Sequence, residues 1–257
     1  MVAEGNKKRK TNYGFMNHCL KPIICKDLAE ELGIHVGDGH MAFRNYPRCK
    51  CYEYSISGNS NEEEYFGLYV KSLIKRLYNI NMHLYKRKDR NELKLQCKSK
   101  ELFYFKRSIG LPNGKKDRIT IPTIVLESNY LCDFLRGLFD TDGHLRFYNR
   151  NKKRPPYPRL DITSKSFELI DQVNQELIKL GFTTYIIEIH SVHPKTKTLC
   201  HSKRIFIYGW KNLQNWIKLI GFSNKKSLIK IEDPIIKSNL EKLKLQAGIA
   251  PATSASL

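Results

Sequence analysis

Two stretches of the chain carry the same succession of apolar and polar patterns. From Asp27 onward, Leu28, Leu32 and Val36 recur at helical spacing, and the pattern stops at Gly37-Asp38-Gly39. From Ser128 onward, Leu131, Leu135, Leu138 and Phe139 do the same and stop at Asp142-Gly143. Asp27 with Glu30 fits a capping box for the first helix, and Ser128 fits an N-cap for the second. Two segments of strand character follow each helix, at 40–46 and 50–57 and again at 144–149 and 157–163. An amphipathic helix comes next. The first, 62–78, is expected to turn Leu68, Leu73 and Leu77 inward, and the second, 166–180, Leu169, Ile170, Val173 and Leu177. A further strand pair follows at 82–88 with 92–97, and at 183–191 with 204–208. Each stretch closes on a helix and a glycine turn, Ile109-Gly110-Leu111-Pro112-Asn113 before Lys115-Lys116, and Ile220-Gly221-Phe222-Ser223-Asn224 before Lys225-Lys226.

Each stretch therefore reads αββαββα, and the chain as an α+β protein built from an internal duplication. Gly33 and Gly110 lie 77 residues apart, Gly137 and Gly221 84. The seven extra residues fit a longer loop around 194–201. The division predicted is a basic N-terminal arm at 1–20, a first repeat at 21–124, a second at 125–240, and a C-terminal tail at 241–257 with no pattern that would order it.

Ala29, Gly33 and Gly37 form a stripe with almost no side chain, and Gly137 and Thr141 form its shorter counterpart. Glycine inside a helix costs roughly 0.5–1 kcal/mol relative to alanine. The same cost accepted in both repeats predicts that the two helices pack along these stripes. Parallel packing would bring Asp38 and Asp142 together at the negative ends of two helix dipoles, where the carboxylates also repel one another. A divalent cation would relieve both conflicts, and hard oxygen donors suit Mg²⁺, with Mn²⁺ as an alternative. A single Asp-Gly after a helix is more often a C-cap turn. Two, at matched points of a duplicated unit, favour a site.

Charge narrows the partner. The 257 residues hold 45 Lys+Arg against 25 Asp+Glu, a net +20. That excess favours a polyanion, since each neutralised phosphate releases counterions. A ribosomal or other nucleic-acid-packing protein is the plain rival, and an anionic membrane surface a weaker one. No apolar run is long enough to span a bilayer and the start lacks a signal peptide's apolar core, so an intracellular protein without a membrane partner is expected, its compartment left open. Cys49 and Cys51 form a C-x-C pair, but no second pair completes a zinc site.

The segment Leu135-Arg136-Gly137-Leu138-Phe139-Asp140-Thr141-Asp142-Gly143 resembles the signature helix of the LAGLIDADG homing endonucleases. Glu31-Leu32-Gly33-Ile34-His35-Val36-Gly37-Asp38-Gly39 resembles it more loosely, keeping Gly33, Asp38 and Gly39. The resemblance implies two pseudo-symmetric repeats, each with an antiparallel sheet, forming a DNA-binding saddle around two central packed helices in one monomer. It implies hydrolysis of both strands of a long asymmetric DNA target in intron homing, across a narrowed minor groove, leaving short 3′ overhangs. The metal-binding acids fall on Asp38 and Asp142, with the carbonyls of Gly37 and Thr141 as further ligands, while Asp140 is a helix-end residue. A metal-activated water would attack phosphorus. A basic residue beside each site falls on Lys116 and Lys226, with Lys115 and Lys225 left open. No histidine stands out as a general base.

Strands of this kind can lay a two-stranded ribbon in the major groove. Residues 84–107 carry nine Lys+Arg and three acids, and 146–165 seven and one. The DNA-contact set expected is Arg44, Tyr46, Lys86, Lys88, Arg146, Tyr148, Arg150, Arg159 and Arg204. Two alternatives accompany the nuclease reading: an intron RNA maturase or other nucleic-acid-binding protein on the same fold, and an unrelated basic structural protein of a ribonucleoprotein. Met1 and Leu257 do not match the ends of an endonuclease embedded in an intein, so a free-standing or intron-encoded form is expected.

Overall fold

The computed structural model describes residues 23–87, 90–148, 156–192 and 197–246. The predicted basic arm, most of the predicted tail, and Lys88 and Arg150 lie outside them. The element order is α1 (Lys26–Asp38), β1 (Gly39–Tyr46), β2 (Cys49–Asn59), a 3-10 turn (Ser60–Glu62), a π-helical stretch (Tyr65–Val70) running into α2 (Lys71–Tyr78), β3 (His83–Arg87), β4 (Glu92–Lys98) and α3 (Lys100–Ser108). A short α4 (Thr123–Leu126) joins this unit to the next. There follow α5 (Leu131–Thr141), β5 (Gly143–Tyr148), β6 (Tyr157–Ser164), α6 (Phe167–Lys179), β7 (Thr184–Val192), β8 (Leu199–Tyr208), α7 (Trp210–Leu219), α8 (Lys225–Glu232) and α9 (Pro234–Gln246). The last helix runs six residues into the segment expected as tail. Among the described residues no helix is long and apolar enough to cross a membrane.

Each repeat folds its strands into one antiparallel four-stranded sheet. The orders correspond, β1-β2-β4-β3 and β5-β6-β8-β7. The β7–β8 hairpin is longer than its counterpart β3–β4, with strands of 9 and 10 residues against 5 and 7. This accounts for the greater length of the second repeat. Alternation sets the faces. Met41, Tyr54, Ile56, Leu93 and Leu95 in one sheet, and Leu145, Leu160, Ile162, Ile205 and Ile207 in the other, are buried against helices.

Three local expectations are corrected. The N-cap of α1 is Cys25, without a side-chain cap. Asp27 instead pairs with Arg76 at 2.9 Å, and Glu30 is buried in a cross-repeat cluster. Helix α5 begins at Leu131 after Tyr130. Ser128 stabilises the preceding turn, its Oγ donating to the Val125 carbonyl and accepting from Tyr130 N–H. In the first amphipathic helix Leu68 is 65% exposed, while Tyr65, Phe66, Val70, Leu73 and Ile74 are buried. The π-helical stretch is the cause: its wider i→i+5 turns rotate the buried face away from a regular helical stripe.

Candidate active site

Helices α1 and α5 form the centre of the molecule. Gly33 meets α5 at Phe134 and Leu138, Gly37 meets Thr141, and Gly137 meets α1 at Glu30 and Ile34. The numbers of the paired residues rise together along both helices, so the helices run parallel. The glycines are required by proximity. A Cβ on Gly33 would collide with the Phe134 carbonyl oxygen, and one on Gly137 with that of Glu30. Arg136 Nη2 of α5 donates to Glu30 Oε2 of α1 at 2.6 Å, and Tyr69 and Ser223 hydroxyls donate to Glu30 Oε1 at 2.8 and 2.7 Å.

Asp38 and Asp142 stand at the adjoining C-terminal ends. A Cβ on Gly37 would lie 3.5 Å from Asp142 Cγ, so the second acid sits beside the end of the first helix. The glycines that follow are not left-handed caps. Gly39 is extended (φ −76°), and a side chain there would come within 2.6 Å of His35 Cα, so glycine is needed for the chain to leave the helix directly into β1. Burial raises the pKa of both acids. Asp38 reaches about 7, through desolvation first and the charge of Asp142 second, against the opposing pull of Lys116 and Lys226. Asp142 is raised for the same first reason.

Each repeat adds one lysine. Lys116 Nζ donates to the carbonyl oxygens of Val36 (2.9 Å) and Gly37 at the end of α1. Lys226 Nζ lies 3.4 Å from the Thr141 carbonyl at the end of α5. Desolvation lowers the pKa of Lys116, and Asp142 and Asp38 oppose this. The neighbouring lysines point elsewhere: Lys115 is exposed, and Lys225 pairs with Glu64. Asparagines fix both lysine-bearing turns. Asn113 Oδ1 accepts from Phe43 N–H at 3.1 Å. Asn224 caps α8, accepting from Lys226 N–H, and its Nδ2 donates to the Asp140 carbonyl at 3.0 Å. Asp140 is fully buried and its Oδ2 accepts from the backbone of Ser223 and Asn224, so it supports the Lys226 turn.

The carbonyls of Gly37 and Thr141, expected as metal ligands, are engaged by the two lysines. Among the described residues no group of three or more His, Cys, Asp and Glu side chains is placed to hold a metal. The paired aspartates still fit a hard divalent cation. They are oxygen donors brought together by the two helix ends, raised in pKa by desolvation, and Mg²⁺ commonly takes one or two carboxylates with water completing its shell.

The expected DNA contacts divide. Arg44 and Tyr46 in β1, Arg146 and Tyr148 in β5, and Arg159 and Arg204 alternate with buried residues, and therefore stand on the sheet faces turned away from the helices. Arg159 is held there, 3.0 Å from Asp161 and with its guanidinium 4.5 Å from the Tyr148 ring centroid and 5.0 Å from that of Phe206. Lys86 is a correction. It shares its parity with Leu84, lies on the helix side of its sheet, and pairs with Glu63. Tyr85, Arg87, Lys94 and Gln96 occupy the open face instead. Two features escaped the sequence reading. Asp-Gly-His occurs twice, and His40 and His144 begin the open faces two residues after each acid. Glu62 reaches Lys226 across the repeats.

Two duplicated αββαββα units, joined by parallel glycine-lined helices that end in paired acids, define the class of protein. Residues 129–221 match the family model described as LAGLIDADG-like domain. The structure of the homing endonuclease I-DmoI in complex with DNA and Ca superposes with a TM-score of 0.52 at 19% identity, covering 75% of this chain and 86% of that one. The I-LtrWI LAGLIDADG homing endonuclease bound to target DNA gives 0.53 at 12% identity, covering 88% and 94%. These findings place a LAGLIDADG-like domain in the second repeat, and the fold of the solved LAGLIDADG homing endonucleases extends over both repeats. Among curated proteins, the replication factor C small subunit of Methanocaldococcus jannaschii is 26% identical over 222 residues, 83% of this chain and 10% of that protein. The probable translation initiation factor IF-2 of the same organism is 27% identical over 172 residues, 65% of this chain and 14% of that protein. The chain thus spans about a tenth to a seventh of the length of these relatives.

Proposed function

We propose that this chain is a site-specific double-strand DNA endonuclease of the homing type, a monomer acting on a long asymmetric target. The observation that carries the reading is the pairing of Asp38 and Asp142, one from each repeat, at adjoining helix ends with a lysine beside each. The open sheet faces support it, since they present Arg44, Arg87, Lys94, Arg146 and Arg204 on a chain of net charge +20. The curated relatives support it differently. This chain matches a small segment of a replication factor and of an initiation factor, proteins of different printed names, which fits a unit separable from either protein's own role.

Asp38 and Asp142 would hold a divalent cation, Mg²⁺ or Mn²⁺. When bound, such a cation would supply Lewis-acid chemistry, activating water and stabilising the leaving 3′ oxygen. Lys116 and Lys226, aimed by the helix-end carbonyls, stabilise charge developing on phosphate. The carbonyls of Gly37 and Thr141 thereby act on the lysines. Arginines and tyrosines of the open faces fix register on the duplex and read base edges.

The test is incubation of the protein with a randomised duplex pool in Mg²⁺, followed by sequencing of cut ends. The reading predicts one recovered target, cut in both strands. Uniform survival of the pool, with Mn²⁺ as with Mg²⁺, would remove it.

A further inference from the structure

The two lysines occupy matching places, yet only one has a carboxylate. Lys116 Nζ is surrounded by carbonyl oxygens, from His35 (3.4 Å), Val36 (2.9 Å) and Gly37. Among the described residues no acid comes within ion-pair distance of it. Lys226 Nζ lies 3.2 Å from Glu62 Oε2, with side-chain exposures of 27% and 19%. Glu62 belongs to the first repeat, at the end of the 3-10 turn after β2, and Lys226 to the second. Asn224 Nδ2 fixes the same carboxylate oxygen at 2.6 Å, so Glu62 is held from two positions on the turn that carries the lysine. At the corresponding point of the second repeat the acid is Glu168, which lies 3.3 Å from the Ser166 hydroxyl and, among the described residues, makes no ion pair with Lys116. The chain there enters α6 through Ser166, whose hydroxyl accepts from Leu169 N–H and donates to the Ile119 carbonyl.

We propose that Glu62 is a positioning residue that makes the two halves of the active site unequal. It binds the Lys226 ammonium and offsets its charge, while Lys116, which feels Asp38 and Asp142 as Lys226 does, has no ion-pair partner of its own among the described residues. This inference rests on the endonuclease reading above. A lysine stabilises a phosphoryl transition state by its uncompensated positive charge, and a fixed carboxylate beside it weakens the field felt by the phosphate. The strand served by Lys226 is therefore cut more slowly, and a nicked duplex, open on the Lys116 side, precedes the double-strand break.

Glu62→Gln tests this, because the amide oxygen can still accept from Asn224 while the charge is removed. On a supercoiled plasmid carrying the selected target, with each strand end-labelled in parallel, the wild type should accumulate a nick in one strand. Glu62→Gln should speed the slower nick on the order of tenfold, a part of the hundredfold or more that a whole charge-stabilising donor supplies. The faster nick should hardly change, and duplex affinity measured in Ca²⁺ should stay the same. In Glu62→Gln/Lys226→Met the gain should vanish, since it acts through Lys226. A change of both nicking rates by the same factor, or none in either, overturns the inference while leaving the nuclease reading standing. No cutting by the wild type overturns both. Glu62→Asp, which restores the charge on a shorter arm, should return the strand difference in part; a strand ratio equal to that of Glu62→Gln would count against the role.

Discussion

Gly137→Ala sets helix propensity against packing, and the two predict opposite signs. In an exposed helix the change stabilises by about 1 kcal/mol. Here the new Cβ would collide with the Glu30 carbonyl oxygen and stand 3.0 Å from Ile34 N. Both atoms are helix backbone, so no side chain can swing aside and α1 must move off α5. Overpacking of this kind costs about 1–3 kcal/mol and often more against backbone, and it outweighs the propensity gain. For a domain of this size each kcal/mol moves Tm by roughly 2–4 °C, so with the backbone clash at the upper end of that cost a net loss of about 1–2 kcal/mol lowers Tm by about 2–8 °C in calorimetry or circular dichroism. Separated helices also separate Asp38 from Asp142, so cutting should fall further than stability accounts for at a temperature where the variant is folded. A Tm equal to or above that of the wild type would refute close helix packing as the reason for glycine.

Lys106 and Glu31 form a fully buried ion pair in the first repeat, with the Tyr54 and Tyr78 hydroxyls donating to the same carboxylate at 2.6 and 2.7 Å. Lys106→Met should cost about 3–5 kcal/mol in denaturant unfolding by stranding that charge, and Glu31→Gln added to it should recover much of the loss. Without divalent cation, stability should fall as pH rises from about 4 to 7. Over that range folded Asp38 keeps a proton that the unfolded chain has released, Asp140 adds in the same direction, and the slope per group approaches about 1.4 kcal/mol per pH unit. Calcium should flatten the curve at the upper end in a thermal-shift titration; a pH-independent Ca²⁺ effect would contradict the buried acid pair.

Periodicity made the duplication, both sheets and the α6 core face readable, because apolar spacing alone decides them. The acid pair was readable because the glycine stripe is a packing signal and recurs. Lys86 was placed on the wrong face although the parity of Leu84 two residues earlier marks it as helix-facing; a count of basic residues overrode a strand pattern that was present. The π-helical turn around Tyr65–Val70 left no such mark, since nothing in an apolar run distinguishes an i→i+5 turn from an i→i+4 one, and Leu68 was assigned inward as a result. The N-caps at Asp27 and Ser128 failed because other partners, Arg76 across the fold for one and the local Val125–Tyr130 turn for the other, hold those side chains. Glu62 was beyond reach for a different reason: its partners Asn224 and Lys226 are 162 and 164 residues away, and only the docking of the two repeats brings them together.

The central claim is that one acid from each repeat builds a single metal-dependent cleavage centre. It is tested most directly by strand-resolved cutting of the selected duplex in Mg²⁺ by the wild type, Asp38→Asn and Asp142→Asn, with duplex binding measured in parallel. Each substitution should abolish or cripple cutting while leaving binding intact. Cutting of both strands at the wild-type rate by either variant would contradict the account.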